Sequence, residues 1–450
     1  MFKKFICALL TLCTVISISL PAAAYEPTGL EITAKAALLV SIGKDSSQDD
    51  ILYEKNADQK VYPASIAKIM TTLLILESDR YNPDAKVAMN KEALRLISGT
   101  GSSVSLLNEG EEMTHLDLVY MVLMSSFGDC AYLAALVFGD TVENFVSMMN
   151  ARAEQLGLKG THYGNPVGLH DEDTYTTARD VYTLTRYALK NETFNTVCKQ
   201  DRYKMSFKPK LRGQTLTTTV MIQDKNTAYY YTYAEGVKTG FTDKAGRCLV
   251  STASYNGYTY MCILMGCPNQ AGRRYEFTES AGLYRWAFNN FEYKRVADSE
   301  NPIYEIPVEL SLDADFVPLY IENGFTTVLP KEADESTIVI KPKPNSKKVD
   351  APIKKGEVLG TADIIYAEKV IGTVNLVAGE DIKKSTLLTV VRAVKGFFTS
   401  IYMKLVYAAI GIAVIVFILM IVKLNYGRGK KRHVRYIPYN KHSKGDSRDE

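Results

Sequence analysis

Tryptophan occurs once in 450 residues, histidine five times and cysteine seven times. No two histidines form an HExxH pair and no two cysteines a CxxC pair, which disfavours a zinc peptidase; no metal and no cofactor are expected. Cys7 and Cys13 sit in an N-terminal apolar run. Cys130, Cys198, Cys248, Cys262 and Cys267 are an odd number without framework spacing, and read as buried free thiols with at most one or two chance bridges. Charge of one sign is lacking too. With 53 Lys+Arg against 50 Asp+Glu the net charge is +3, too balanced for a nucleic-acid partner. At 46% hydrophobic and 23% charged residues, the chain is neither disordered, collagen-like nor a small disulfide scaffold.

The charge that exists is local. Lys423–Glu450 carries nine Lys/Arg and three Asp/Glu, +6 in all, which leaves the remainder at −3. Met1–Ala24 has two lysines, an apolar stretch and Ala22-Ala23-Ala24, the pattern of a secretory signal peptide cleaved after Ala24. Leu405–Val422 is 18 residues without a charge, at the lower limit of a bilayer span. Basic residues follow it, and such clusters stay on the cytoplasmic side. The expected order is a signal peptide (1–24), an exported body, an amphipathic juxtamembrane segment (386–404), a transmembrane helix (405–422) and a basic cytoplasmic tail (423–450).

Within the body, Ile32–Tyr53 reads as a strand hairpin, and Tyr62 to about Val197 as mostly helical. From Thr218 strands are expected. Arg247–Ser254 and Tyr258–Gly266 flank Asn256-Gly257, a strong two-residue hairpin turn. Glu276–Phe291 returns to a helical pattern. Strands, a helical block, strands and a closing helix argue for an α+β domain with an antiparallel sheet, here 25–298. Short β-rich runs after Asp298 suggest a small all-β domain, 299–385.

Three segments carry candidate chemistry. Ser65-Ile66-Ala67-Lys68 follows Pro63, which suits a helix start, so Ser65 and Lys68 would lie one turn apart on one face. A serine hydroxyl needs a base, and a lysine serves only where burial or another cation lowers its pKa. Lys238-Thr239-Gly240 lies on a strand whose exposed edge suits an extended peptide. Ser125-Ser126-Phe127-Gly128-Asp129 follows the Leu118–Met124 helical run and offers a second serine as proton relay, either Ser126 or Ser125. Each motif alone is weak. Their order, with the wording of PASIAKIMTTLLILE, GSSVSLLNEGEE, THYGNPVGLHDEDTYTTARD and GVKTGFTDKAGRCLV, resembles the low-molecular-mass penicillin-binding proteins, the serine-type D-Ala-D-Ala carboxypeptidases. The resemblance runs from about Ile32 to Phe288 and continues through VPLYIENG and APIKKGEVLG.

That resemblance implies a penicillin-binding/β-lactamase-like domain followed by the family's C-terminal β domain. It implies that Ser65 attacks the D-Ala-D-Ala bond of a peptidoglycan stem peptide, with Lys68 as base. Ser126 and Lys238 would complete the proton network, Thr239 would hold the terminal carboxylate, and Gly240 would allow close approach. The backbone N–H groups of Ser65 and Phe241 would form the oxyanion hole, and β-lactams would trap the same serine. The chain departs from the family in three respects, one being a C-terminal span where many members end in an interfacial amphipathic helix. The second motif, normally SxN, has Gly128 in place of the Asn whose amide orients the substrate. The family's arginine near the last helix has only Arg273 and Arg274 as candidates. Readings left open are a β-lactamase or D,D-endopeptidase on the same scaffold, and a wall-peptide-binding protein with weakened or no catalysis.

Overall fold

The computed structural model describes residue 27, residues 29–43 and residues 49–429; the expected signal peptide and most of the basic tail lie outside the described residues. Two units form. The first takes residues up to Val296 with Phe325–Ile338 and Tyr366–Ile371, and the second takes Ala297–Gly324, Val339–Ile365 and the residues from Gly372 on.

The strands of the first unit begin with β1 (Ala36–Ser41), β2 (Asp50–Lys55), β3 (Lys86–Ala88), β4 (Glu112–Thr114), β5 (Arg202–Lys204) and β6 (Thr215–Thr217), followed by β7 (Ala234–Thr242), β8 (Gly246–Tyr255) and β9 (Tyr258–Cys267). Five of them make one antiparallel sheet in the order β2-β1-β9-β8-β7. Its two faces follow from the period-two pattern. Ala36, Leu38 and Val40 with Met261, Ile263 and Met265 face one core, and Ala37 and Leu39 with Tyr260, Cys262 and Leu264 face the other. The expected hairpin turn is present, with Asn256 at φ 50° and Gly257 at φ 82°, the two positive angles that the tightest hairpins need.

A helical block fills the first core. Its helices are Lys68–Glu77, Lys91–Ile97, His115–Leu123, Gly128–Gly139, Val142–Gln155, Ala178–Ala188 and Glu192–Lys199. Side-chain caps start most of them. Thr114 and Asp117 form a reciprocal capping box, and Thr177 accepts from Asp180 N at 3.0 Å. On the other face the helix Tyr275–Asn290 buries Phe277, Ala281, Leu283, Tyr284 and Ala287. All five described cysteines are free and buried, and burial raises each thiol above its ordinary value. One expectation needs correction here. Thr218–Tyr233 is a run of turns, and the strand after β6 begins only at Ala234.

Next in the chain are β10 (Phe291–Ala297), β11 (Tyr304–Glu309), β12 (Phe316–Ile321), β13 (Phe325–Pro330), β14 (Val339–Pro344), β15 (Val349–Asp350), β16 (Val358–Tyr366) and β17 (Lys369–Ala378). Six of these form a sheet in the order β14-β16-β17-β12-β11-β15. β13 is not among them: it pairs with β10 in a separate two-stranded sheet and falls in the first unit. The chain closes with the helices Thr386–Thr399 and Ile401–Gly429, separated at Ser400. The helix Ile401–Tyr426 is 26 residues long, and its most apolar 18-residue window has a mean hydropathy of 3.1 with none of it buried.

One crossing fixes the geometry that follows. Gly168 has φ +82°, and a Cβ placed there would sit 1.8 Å from the Ala64 carbonyl oxygen. Gly168→Ala should therefore cost about 2–4 kcal/mol through clash and strain, read as a lowered Tm. Gly213→Ala, where a Cβ meets nothing within 4 Å, should stay within about 0.5 kcal/mol of the parent.

Candidate active site

Ser65 does not sit in an α-helical turn. Ala64–Ala67 is a 3-10 turn, and the α-helix begins at Lys68. In a 3-10 turn residues i and i+3 eclipse, which sets Lys68 directly behind Ser65. The Lys68 Nζ donates to Ser65 Oγ at 2.9 Å and to the Val167 carbonyl at 2.8 Å. Ala64 enters the turn at φ 46°, a left-handed angle uncommon for a residue with a Cβ. The loop carrying Val167 is organised by Asn165, whose Oδ1 accepts from the N–H groups of Val167, Gly168 and Leu169 at 3.2, 2.8 and 2.9 Å.

Lys68 is fully buried. Burial favours its neutral form and lowers its pKa to about 7, while the nearby Asp129 pulls the other way. Lys238 is also fully buried, and burial together with the charge of Lys68 holds its pKa well below the ordinary lysine value. Lys238 Nζ donates to Ser126 Oγ at 2.7 Å and to the Thr239 carbonyl at 3.0 Å. Of the two serines left open by the sequence, Ser126 is the one on Lys238. Ser125 donates away, to the Thr217 carbonyl at 3.3 Å.

Strand β7 lies at the sheet edge, and Lys238 and Gly240 pair with Val250 and Cys248, which face the helical block. A Cβ on Gly240 would come within 3.0 Å of the Pro63 carbonyl and 3.2 Å of Ala64 and Ile66. Glycine lets the strand touch the serine turn. Thr239 shares a hydrogen bond of 2.7 Å with Thr219, a residue no motif pointed to. A cavity of about 220 Å³ opens beside Ser65, lined among others by Ser102, Val167, Gly168, Phe241 and Asp243. Phe241 is partly exposed there, with the Arg247 guanidinium 4.9 Å above its ring.

The two candidate arginines are otherwise occupied. Arg274 pairs with the buried Glu276 at 2.6 Å, and Arg273 donates to the Tyr275 hydroxyl at 3.0 Å. Asp129 does not stand in for the missing Asn either. Its carboxylate accepts from Ser105 N, Ser105 Oγ and Cys130 N. His162 and His170 serve the loop, His162 Nδ1 at 2.8 Å from the Asp173 carbonyl and His170 edge-on to Tyr62.

Comparison with known proteins shows the family. The model of the D-alanyl-D-alanine carboxypeptidase family matches residues 22–269, and that of the penicillin-binding protein 5 C-terminal domain matches residues 291–384. The D-alanyl-D-alanine carboxypeptidase DacF of Bacillus subtilis is 27% identical over 372 residues, covering 82% of this chain and 91% of that protein. The D-alanyl-D-alanine carboxypeptidase of Streptomyces sp. K15 is 31% identical over 241 residues, 51% of this chain and 80% of its own. Penicillin binding protein 5 of Haemophilus influenzae superposes with a TM-score of 0.62 at 26% identity, covering 79% of this chain and 98% of that one. With the family model matched over more than half of its length, the chain belongs to the D-alanyl-D-alanine carboxypeptidase family.

Proposed function

We propose that this chain is a serine-type D-alanyl-D-alanine carboxypeptidase that removes the terminal D-Ala from peptidoglycan stem peptides through an acyl-enzyme on Ser65. The observation that carries the reading is the Ser65 hydroxyl 2.9 Å from a buried Lys68 whose pKa is lowered to about 7. A lysine so placed is neutral for much of the time near neutral pH and can take a proton.

In the first step the Ser65 Oγ bonds to the carbonyl carbon of the D-Ala-D-Ala peptide while its proton passes to Lys68 Nζ. The backbone N–H groups of Ser65 and Phe241 receive the oxyanion, each donor being worth roughly 3 kcal/mol. The C–N bond then breaks as the proton held by Lys68 passes through Ser126 and Lys238 to the amine of the departing D-alanine. Water afterwards attacks the ester, the again neutral Lys68 taking one of its protons and returning it to the Ser65 oxygen as the ester bond breaks. Thr239 holds the substrate carboxylate, and the free edge of β7 takes the extended peptide. β-Lactams enter the same path and stop at the ester.

The same reading covers place. The apolar helix Ile401–Tyr426 serves as a membrane anchor, with the catalytic body on the exported side and the basic tail 423–450 in the cytoplasm. Residues 25–298 are the catalytic domain. Residues 299–385 set its height above the bilayer, so shortening them should reduce activity on intact wall and spare a soluble peptide.

Intact-mass spectrometry after incubation with benzylpenicillin tests the chemistry. A penicilloyl adduct is expected on the parent and not on Ser65→Ala. No adduct with intact penicillin would favour the binding protein, and no adduct with consumed penicillin the β-lactamase. Acylation should also rise with pH through about 7. Below that value Lys68 is protonated and cannot accept, so the rate falls towards tenfold per pH unit; a rate flat from pH 5 to 9 would remove Lys68 from the role. Ser126→Ala should slow acylation about 10²-fold, Ser125→Ala less than about threefold.

A further inference from the structure

Position 128 has no side chain, and the structure shows what occupies that space. A Cβ on Gly128 would lie 2.5 Å from Ile97 Cδ1 and 2.7 Å from Ser102 Oγ. The glycine is therefore not an empty slot waiting for an asparagine. Its place on the cleft wall is filled from another segment, with an apolar group and a hydroxyl.

That segment is held in place. The Gly128 N–H donates to the Ser103 carbonyl at 2.8 Å. Two residues on, Ser105 donates through its N–H and its hydroxyl to Asp129, at 2.9 and 2.5 Å to Oδ2. On the other side Thr100 Oγ1 donates to the Ile97 carbonyl at 2.8 Å and accepts from Ser102 N at 3.3 Å. Ser102 thus rides on a loop strapped to the start of the helix Gly128–Gly139. It lines the cavity that opens on Ser65 and Phe241. Among the described residues Ser102 hydrogen-bonds through its backbone N–H to Thr100 and not through its Oγ. A hydroxyl has one proton to give and lone pairs to accept, enough for either side of one peptide group.

We infer that Ser102 is the substrate-positioning residue of this wall: its hydroxyl bonds the amide on the acyl side of the scissile bond, in the space that a side chain at position 128 would otherwise fill. This deepens the carboxypeptidase reading and rests on it. The inference also accounts for Gly128, because a larger residue there would displace the hydroxyl.

The test compares two β-lactams on the full chain. Benzylpenicillin carries an acylamino group beside the lactam carbonyl, and 6-aminopenicillanic acid carries only the amine. If Ser102 reads that amide, Ser102→Ala lowers the ratio of the two acylation rates about tenfold, and Ser102→Thr, which keeps the hydroxyl, restores most of it. A merely structural role would slow both compounds alike, so an unchanged ratio overturns the inference while leaving Ser65 as nucleophile. If the folded parent is acylated by neither compound at Ser65, the carboxypeptidase reading falls and this inference with it.

Discussion

Two ammonium groups buried beside one another are the costly feature of this protein, and much of its local architecture answers to them. Removing a charge from water is unfavourable unless acceptors replace the water, and a second cation nearby makes it worse. Lys68 has the Ser65 hydroxyl and the Val167 carbonyl, and Lys238 has the Ser126 hydroxyl and the Thr239 carbonyl. Each lysine thus keeps one backbone acceptor and one serine. The depressed pKa of Lys68 is the residue of that imbalance, and the proposed role of this lysine as a base depends on it.

The supports for these contacts are mostly backbone. Asn165 gathers three N–H groups so that the Val167 carbonyl points at Lys68, and Gly168 lets that loop cross the Ala64 carbonyl. Gly240 brings the sheet edge against the same turn. Ala64 and Ser126, both at positive φ, place backbone strain at the two serines. Each hydroxyl sits just ahead of an α-helix, Ser65 before Lys68–Glu77 and Ser126 before Gly128–Gly139.

Local signals in the sequence were strong where the structure is local. Asn256-Gly257 announced its hairpin because only a few residue types accept two positive φ angles in succession. An apolar run before a polar turn placed β1, and the segments flanking Asn256-Gly257 placed β8 and β9. The order of Ser65, Lys68, Ser126 and Lys238 named the participants. What escaped was long-range or sub-turn. One turn of 3-10 helix and one of α-helix have the same pattern over four residues, so the eclipsed geometry of Ser65 and Lys68 was not visible. The pairing of β13 with β10 instead of the later strands is a tertiary choice that no window reveals. Thr219 lies in a segment of ordinary polar composition, and nothing in GSSVSLLNEGEE singled out Ser102 from its neighbours. They matter only because the fold carries them to Thr239 and to Gly128.

The five described thiols have a further consequence. Each is buried, unbridged and held in its protonated form by its surroundings, and it is the thiolate that reacts. Folding of this body therefore needs no oxidant and is indifferent to the redox state of the compartment in which it occurs. The same burial makes these cysteines silent reporters of opening. Three of them lie in β8 and β9, one in the helix Gly128–Gly139 and one in the helix Glu192–Lys199. A thiol reagent reaching them would count excursions of the sheet and of two helices separately, giving a residue-by-residue record of how cooperatively the native state comes apart.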